Sequence, residues 1–139
     1  MIVVDTIVVS ELMRPQPEES VNRWALAQAG RDLYTTSITL AEILYGIERL
    51  PTGPRRDLLR STATEVFATF DDHVLPFDAA AAGHYPLIVG TRERLGLPID
   101  GFDAQIASIC RSGSASLATR HIKDFHHTGI DLIDPWQQH

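Results

Sequence analysis

The chain is 139 residues long, the size of one domain spanning 1–139, and is 44% apolar against 22% charged, a balance that supports a packed core and excludes wholesale disorder. Its lone cysteine, Cys110, excludes an intramolecular disulfide framework and any zinc site of the CxxC kind. Eighteen acidic residues against 12 basic leave a net charge of −6, which argues against nucleic-acid binding through bulk charge, but not against an enzyme whose acids gather round a metal.

Met1 to Val4 is a continuous apolar run, as expected of a strand buried on both faces. Asp5 interrupts the run and no basic segment precedes it, so neither a secretory leader nor a membrane span is expected, and the expected location is the cytoplasm. A short helix over Val8 to Met13 is ended by Pro15 and Pro17, and a second runs from about Ser20 to Ala29 and closes at Gly30. Leu33 to Thr36 has the β-branched and aromatic character of a strand. Thr39 opens a periodic helix with Leu40, Ile43, Leu44, Ile47 and Leu50 on one face, stopped by Pro51 and Gly53. A polar-faced helix from about Pro54 to Phe70 follows, with Leu58, Leu59, Val66 and Phe70 apolar.

Val74 to Phe77 is a strand candidate weakened by Pro76, and Asp78 can cap the alanine-rich helix after it. Pro86 lies inside that helix, where it should kink it, and Gly96 and Pro98 end it. Asp103 to Arg111 reads as a helix, Ser116 to Thr119 as a strand, and Asp131 to Ile133 as the last strand. Strands separated by helices imply an α/β fold, an α/β/α sandwich with a mostly parallel central sheet. In such sheets ligands bind beyond the carboxyl ends of the strands, which directs attention to the acids found there.

Four acids meet that criterion, and each also has an ordinary structural role open to it. Asp5 follows the first strand and suits a helix N-cap. Glu42 closes Thr39-Leu40-Ala41-Glu42, the pattern of a capping box, yet lies off the apolar face of its helix at the same sheet edge. Asp103 is either the cap of its helix or a first-turn acid favoured by the helix dipole, with Asp100 as the competing cap. Asp124 follows the fourth strand by a few residues and could be a loop carboxylate. Taken together they point to a metal: clustered carboxylates repel, and one or two Mg²⁺ or Mn²⁺ ions, which prefer oxygen ligands, would neutralise them and polarise a phosphodiester. Metal neutralisation also removes the acidic balance as an obstacle to an RNA substrate.

The opening Ile2-Val3-Val4-Asp5-Thr6 with Ser10-Glu11, the segment Ser37-Ile38-Thr39-Leu40-Ala41-Glu42-Ile43-Leu44-Tyr45-Gly46-Ile47, Asp103-Ala104-Gln105-Ile106-Ala107, and the closing Leu117-Ala118-Thr119-Arg120, Lys123-Asp124-Phe125 and Asp134-Pro135-Trp136 together resemble the PIN-domain toxins of the VapC/FitB-like family, in the same order across nearly the whole chain. The resemblance implies a Mg²⁺- or Mn²⁺-dependent endoribonuclease, the toxin of a type II toxin–antitoxin pair, that leaves a 5′-phosphate and a 3′-hydroxyl by means of a metal-activated water. It implies that Asp5, Glu42 and Asp103 hold the metal, with a fourth polar or acidic position in the last block for which Asp124 is the candidate. Arg120 and Lys123 are placed either to contact the RNA backbone or to serve as solvated surface charges, and His121 stands as a substitute ligand, a phosphate contact, or a sign that the fourth position is lost. It also implies a homodimer, a cognate antitoxin whose C-terminal segment covers the active site, and a higher assembly of toxin and antitoxin on operator DNA.

Two positions depart from the family pattern: Ile7 stands where Asn is usual, and His121 where Asn or Asp is usual. They motivate the alternative of a catalytically impaired PIN domain that acts as an antitoxin- or RNA-binding module, from which metal binding separates the enzyme. A haloacid-dehalogenase-type phosphatase requires an acid at Ile7, and a receiver domain requires an acidic pair beside the first strand; neither fits. His126-His127 read as surface loop, Arg55, Arg56 and Arg60 as a solvated helix face, and Tyr45, Trp24 and Trp136 as core or dimer-interface aromatics.

Overall fold

The structure is a computed structural model that describes residues 1–28 and 33–137. Five strands are formed among the described residues: β1 (Ile2–Val4), β2 (Leu33–Thr36), β3 (Val74–Leu75), β4 (Ser116–Ala118) and β5 (Leu132–Ile133). They lie in the order β3-β2-β1-β4-β5, and every neighbouring pair is parallel. Ile2 pairs with both Leu33 and Ser116, so β1 occupies the centre. The β-branched run expected to be buried on both faces is therefore the strand covered on both sides.

Six helices flank the sheet among the described residues: α1 (Thr6–Leu12), α2 (Glu19–Ala27), α3 (Ser37–Glu48), α4 (Pro54–Phe70), α5 (Ala79–Arg94) and α6 (Gly101–Ser112). Alternation along the strands divides the core into two halves. Val3 and Leu117 point to one face, against Ile88 of α5 and Ile106 and Cys110 of α6. Val4 and Ala118 point to the other, against Val8, Trp24, Ile43 and Ala63 of α1 to α4. This is the three-layered α/β/α sandwich with a parallel sheet. Burial pushes the Cys110 thiol up to about 12, which makes it a packing group rather than a nucleophile.

Several boundaries differ from the sequence expectation for identifiable reasons. α1 starts at Thr6, two residues before Val8, because the Asp5 carboxylate caps it by accepting from the Val8 N–H at 3.1 Å. α3 starts at Ser37 because Thr36, not Thr39, is its N-cap and accepts from the Thr39 N–H at 3.1 Å. The capping box at Thr39 and Glu42 is thus not formed. Leu44 is 45% exposed, so the apolar stripe of α3 is narrower than its periodicity suggests, and Leu58 of α4 and Tyr45 are exposed rather than packed. α5 runs on through Pro86 as one helix, capped by Asp78. The expected end of the second helix at Ala29 and Gly30 lies outside the described residues. Among the described residues no helix is long and apolar enough to cross a membrane.

Candidate active site

All four acids stand at the carboxyl edge of the sheet, each delivered by a different connection. Asp5 leaves the end of β1, held to β4 by its N–H donating to the Ala118 carbonyl at 3.1 Å. Because β2 runs into α3 without a loop, Glu42 lies in the second turn of that helix, at the same edge. α6 leads into β4 and so runs back along the sheet, which puts its N-terminal turn, with Asp103, at the carboxyl edge. Asp100 settles the choice of cap: it accepts from the Phe102 and Asp103 N–H groups, leaving the Asp103 side chain free of that duty. Asp124 sits in a 3₁₀ turn over Ile122–Phe125, after β4.

The electrostatics register how close these groups are. Asp103, half-buried, has its carboxyl raised to about 6, first by burial and then by the negative charges of Asp100, Asp124, Glu42 and Asp5. Asp5 is 6% exposed and is likewise raised to about 6 by burial, against the pull of a Thr119 side-chain hydrogen bond, the Val8 N–H and the charge of His121. The Asp103 carboxyl thus responds to all three of the other acids singled out in the sequence. Glu11 is buried too, but it accepts from the Glu18 N–H at 2.9 Å and pairs with Arg14 at 3.1 Å, a structural tie away from this cluster.

Hydroxyls that the sequence reading passed over orient the acids. Thr6 Oγ1 donates to Glu42 Oε1 at 2.7 Å and lies 3.2 Å from Thr39 Oγ1. Thr119 bonds the Asp5 carboxylate and accepts from the His121 N–H at 3.0 Å. The available signal was adjacency, since Thr6 directly follows Asp5 and Thr119 directly follows β4. Ile7, the departure that suggested a lost polar group, packs its side chain against the core half formed by α1 to α4. His121 Nδ1 lies 3.5 Å from Asp124 Oδ2.

Among the described residues no three His, Cys, Asp or Glu side chains stand as a ready-made cage for a metal. The donor chemistry nevertheless fits Mg²⁺ or Mn²⁺, which bind through one or two carboxylates and keep several waters. Burial and mutual repulsion raise the pKa of Asp103, and a cation relieves exactly that kind of strain. Of the basic candidates, Lys123 is exposed, and Arg120 is exposed with its guanidinium carbon 5.0 Å from the centroid of the Trp136 ring. Arg56 and Arg60 pair with Glu48 at 2.7 and 3.1 Å, as a helix face rather than a phosphate patch. Beside Glu42 an apolar groove of about 320 Å³ opens between α1, α3 and α4, lined by Thr6, Met13, Ile43, Ile47, Leu50 and Leu59 among others.

A parallel sheet of this order with an acidic carboxyl edge defines a class, and the PIN domain profile matches residues 2–130, so the chain belongs to the PIN-domain family. Within that family it falls among the VapC/FitB-like toxins. It is 35% identical to VapC ribonuclease Y4jK of Sinorhizobium fredii over 99% of both chains. It is 32% identical to toxin FitB of Neisseria gonorrhoeae, over 98% of this chain and 99% of FitB. Its fold matches a chain of FitAB bound to the IR36 DNA fragment with a TM-score of 0.92 and 31% identity, covering 100% of this chain and 98% of that one.

Proposed function

We propose that the protein is a divalent-metal-dependent endoribonuclease that acts as the toxin of a type II toxin–antitoxin pair. The observation that carries this reading is the gathering of Asp5, Glu42, Asp103 and Asp124 at one sheet edge, with the Asp103 carboxyl raised first by burial, then by Asp100, and further by the charges of the other three. The similarity to a VapC ribonuclease over the full length supports it.

Asp5, Glu42, Asp103 and Asp124 would hold the metal. When bound, Mg²⁺ or Mn²⁺ neutralises these carboxylates and polarises the scissile phosphodiester of RNA. The Val8 N–H and Thr119 orient Asp5, and Thr6 orients Glu42, so the acids are aimed by neighbours rather than left free to rotate. Arg120, Lys123 and His121 bind the RNA backbone at the rim. Arg120 is steadied for that task by the Trp136 ring beneath it.

A cognate antitoxin would restrain the enzyme by laying a segment over the site, with the apolar groove beside Glu42 as its seat. Similarity to a chain of FitAB bound to a DNA fragment supports this partner and an assembly with it on operator DNA, in which the protein would take part as a homodimer.

A second reading, a PIN domain that binds without cleaving, draws on Ile7, which supplies core packing in place of a polar group, and on His121, which stands where Asn or Asp is usual. Induced expression separates the two. The enzyme reading expects growth arrest, new RNA ends bearing 5′-phosphates, and loss of both in Asp5→Asn and Asp103→Asn; undiminished toxicity in either variant contradicts the assignment of these residues.

A further inference from the structure

Arg92, in the last turn of α5, is 5% exposed, and among the described residues no carboxylate forms a salt bridge with it. Its guanidinium is satisfied by backbone carbonyls instead. Nε donates to Leu97 at 2.8 Å, Nη1 to His126 at 2.7 Å and to Lys123 at 3.3 Å, and Nη2 reaches Pro98 at 3.4 Å. Burying a cation without a counter-charge is unfavourable, and a solvated arginine on the outer face of α5 would serve helix packing equally well. The position of its acceptors explains the burial. Leu97 and Pro98 lie in the connection that enters α6, three and two residues before Asp100, which caps the turn carrying Asp103. Lys123 and His126 bracket Asp124 in its 3₁₀ turn. One planar fork therefore spans the two connections that carry Asp103 and Asp124, far apart in sequence and joined here by no strand pairing. The rigid, five-donor geometry of a guanidinium suits such a clamp, whereas an ammonium cannot hold both arms in one plane.

We propose that Arg92 is a positioning residue that fixes the Asp103 and Asp124 arms relative to each other and thereby sets the affinity of the acidic site for its divalent cation. The inference rests on the metal-dependent reading of the site. It carries a sign that separates it from simple electrostatics: removing a positive charge near an acidic site strengthens cation binding by Coulomb's law, whereas releasing the arms weakens it.

The test is calorimetric titration with Mn²⁺ of the full chain free of antitoxin, alongside Arg92→Lys and Arg92→Gln, each first checked for a cooperative thermal melt. The expected result is folded variants whose Mn²⁺ affinity is weaker by about 10–100-fold, the range for residues that orient metal ligands. A folded variant that binds within about twofold of the unmodified chain, or more tightly, overturns the proposal. If neither variant gives a cooperative melt, Arg92 serves the fold and the proposal is likewise overturned. Failure of the unmodified chain to bind Mn²⁺ contradicts the metal-dependent reading itself, and so is distinguishable from failure at Arg92.

Discussion

Thr6 Oγ1 donates to Glu42 Oε1 at 2.7 Å and so ties the first turn of α1 to the second turn of α3 across the carboxyl edge of the sheet. Asp5 and Thr6 are neighbours in the chain, so the same short segment presents one acid and aims another. Thr6→Val keeps the side-chain shape and removes the donor. The variant should lose about 1 kcal/mol in urea unfolding and bind Mn²⁺ about tenfold more weakly. Unchanged Mn²⁺ affinity would show that Glu42 does not depend on this bond.

Asp5 and Asp103 are both raised to about 6 in the folded chain from an ordinary value of 3.8. Between those values the folded state binds more protons than the unfolded state, so their contribution is fully present below about pH 4 and is lost as pH rises through about 6. In the metal-free protein, Asp5→Asn keeps the helix cap and removes a buried charge. It should stabilise the chain at pH 7.5 by about 1–3 kcal/mol and have a smaller effect at pH 4, measured by urea unfolding in chelator. A variant less stable than its parent at pH 7.5 would mean that the cap, not the charge, dominates at Asp5.

Metal binding reverses that preference, because the carboxylates must lose their protons to ligate. Mn²⁺ affinity should therefore fall as pH drops from 7.5 through about 6, with protons released on binding near pH 6. Titrations in buffers of different ionisation enthalpy measure that release directly. An affinity flat between pH 5 and 7.5 would place the ion elsewhere.

Arg120 lies over Trp136 with its guanidinium 5.0 Å from the ring centroid, an arrangement that limits its conformations without consuming its donors. Arg120→Ala and Lys123→Ala should raise KM for RNA more than they lower kcat. Each should also reduce the slope of log affinity against log salt by about 0.7 if it removes one phosphate contact. A salt slope that stays the same would assign these residues to the protein surface alone.

The sheet was legible because its strands are short, mostly apolar runs between helices, β-branched in β1 and β2, and the apolar pair Val3 and Val4 feeds both halves of the core. Asp5 and Asp103 were legible as acids next to strand ends and helix starts. The start of α3 was not, because Thr36 and Thr39 are both competent caps and periodicity cannot tell which hydroxyl takes the backbone N–H. Direct passage from β2 into α3 decides it for Thr36, which frees Glu42 from the capping box and gives it to Thr6. Thr36→Ala should accordingly cost about 1–2 kcal/mol in unfolding free energy. Arg92 left no trace in the sequence at all: its acceptors are backbone carbonyls, which carry no residue signature, and two of them lie more than 30 residues away.

Calorimetric titration of the antitoxin-free chain with Mn²⁺ at pH 7.5, beside Asp103→Asn, decides whether the four acids form a divalent-metal site. Saturable binding by the parent chain, and its loss in a variant that still melts cooperatively, is the expected result. No binding by the folded parent, or equal binding by Asp103→Asn, would contradict it.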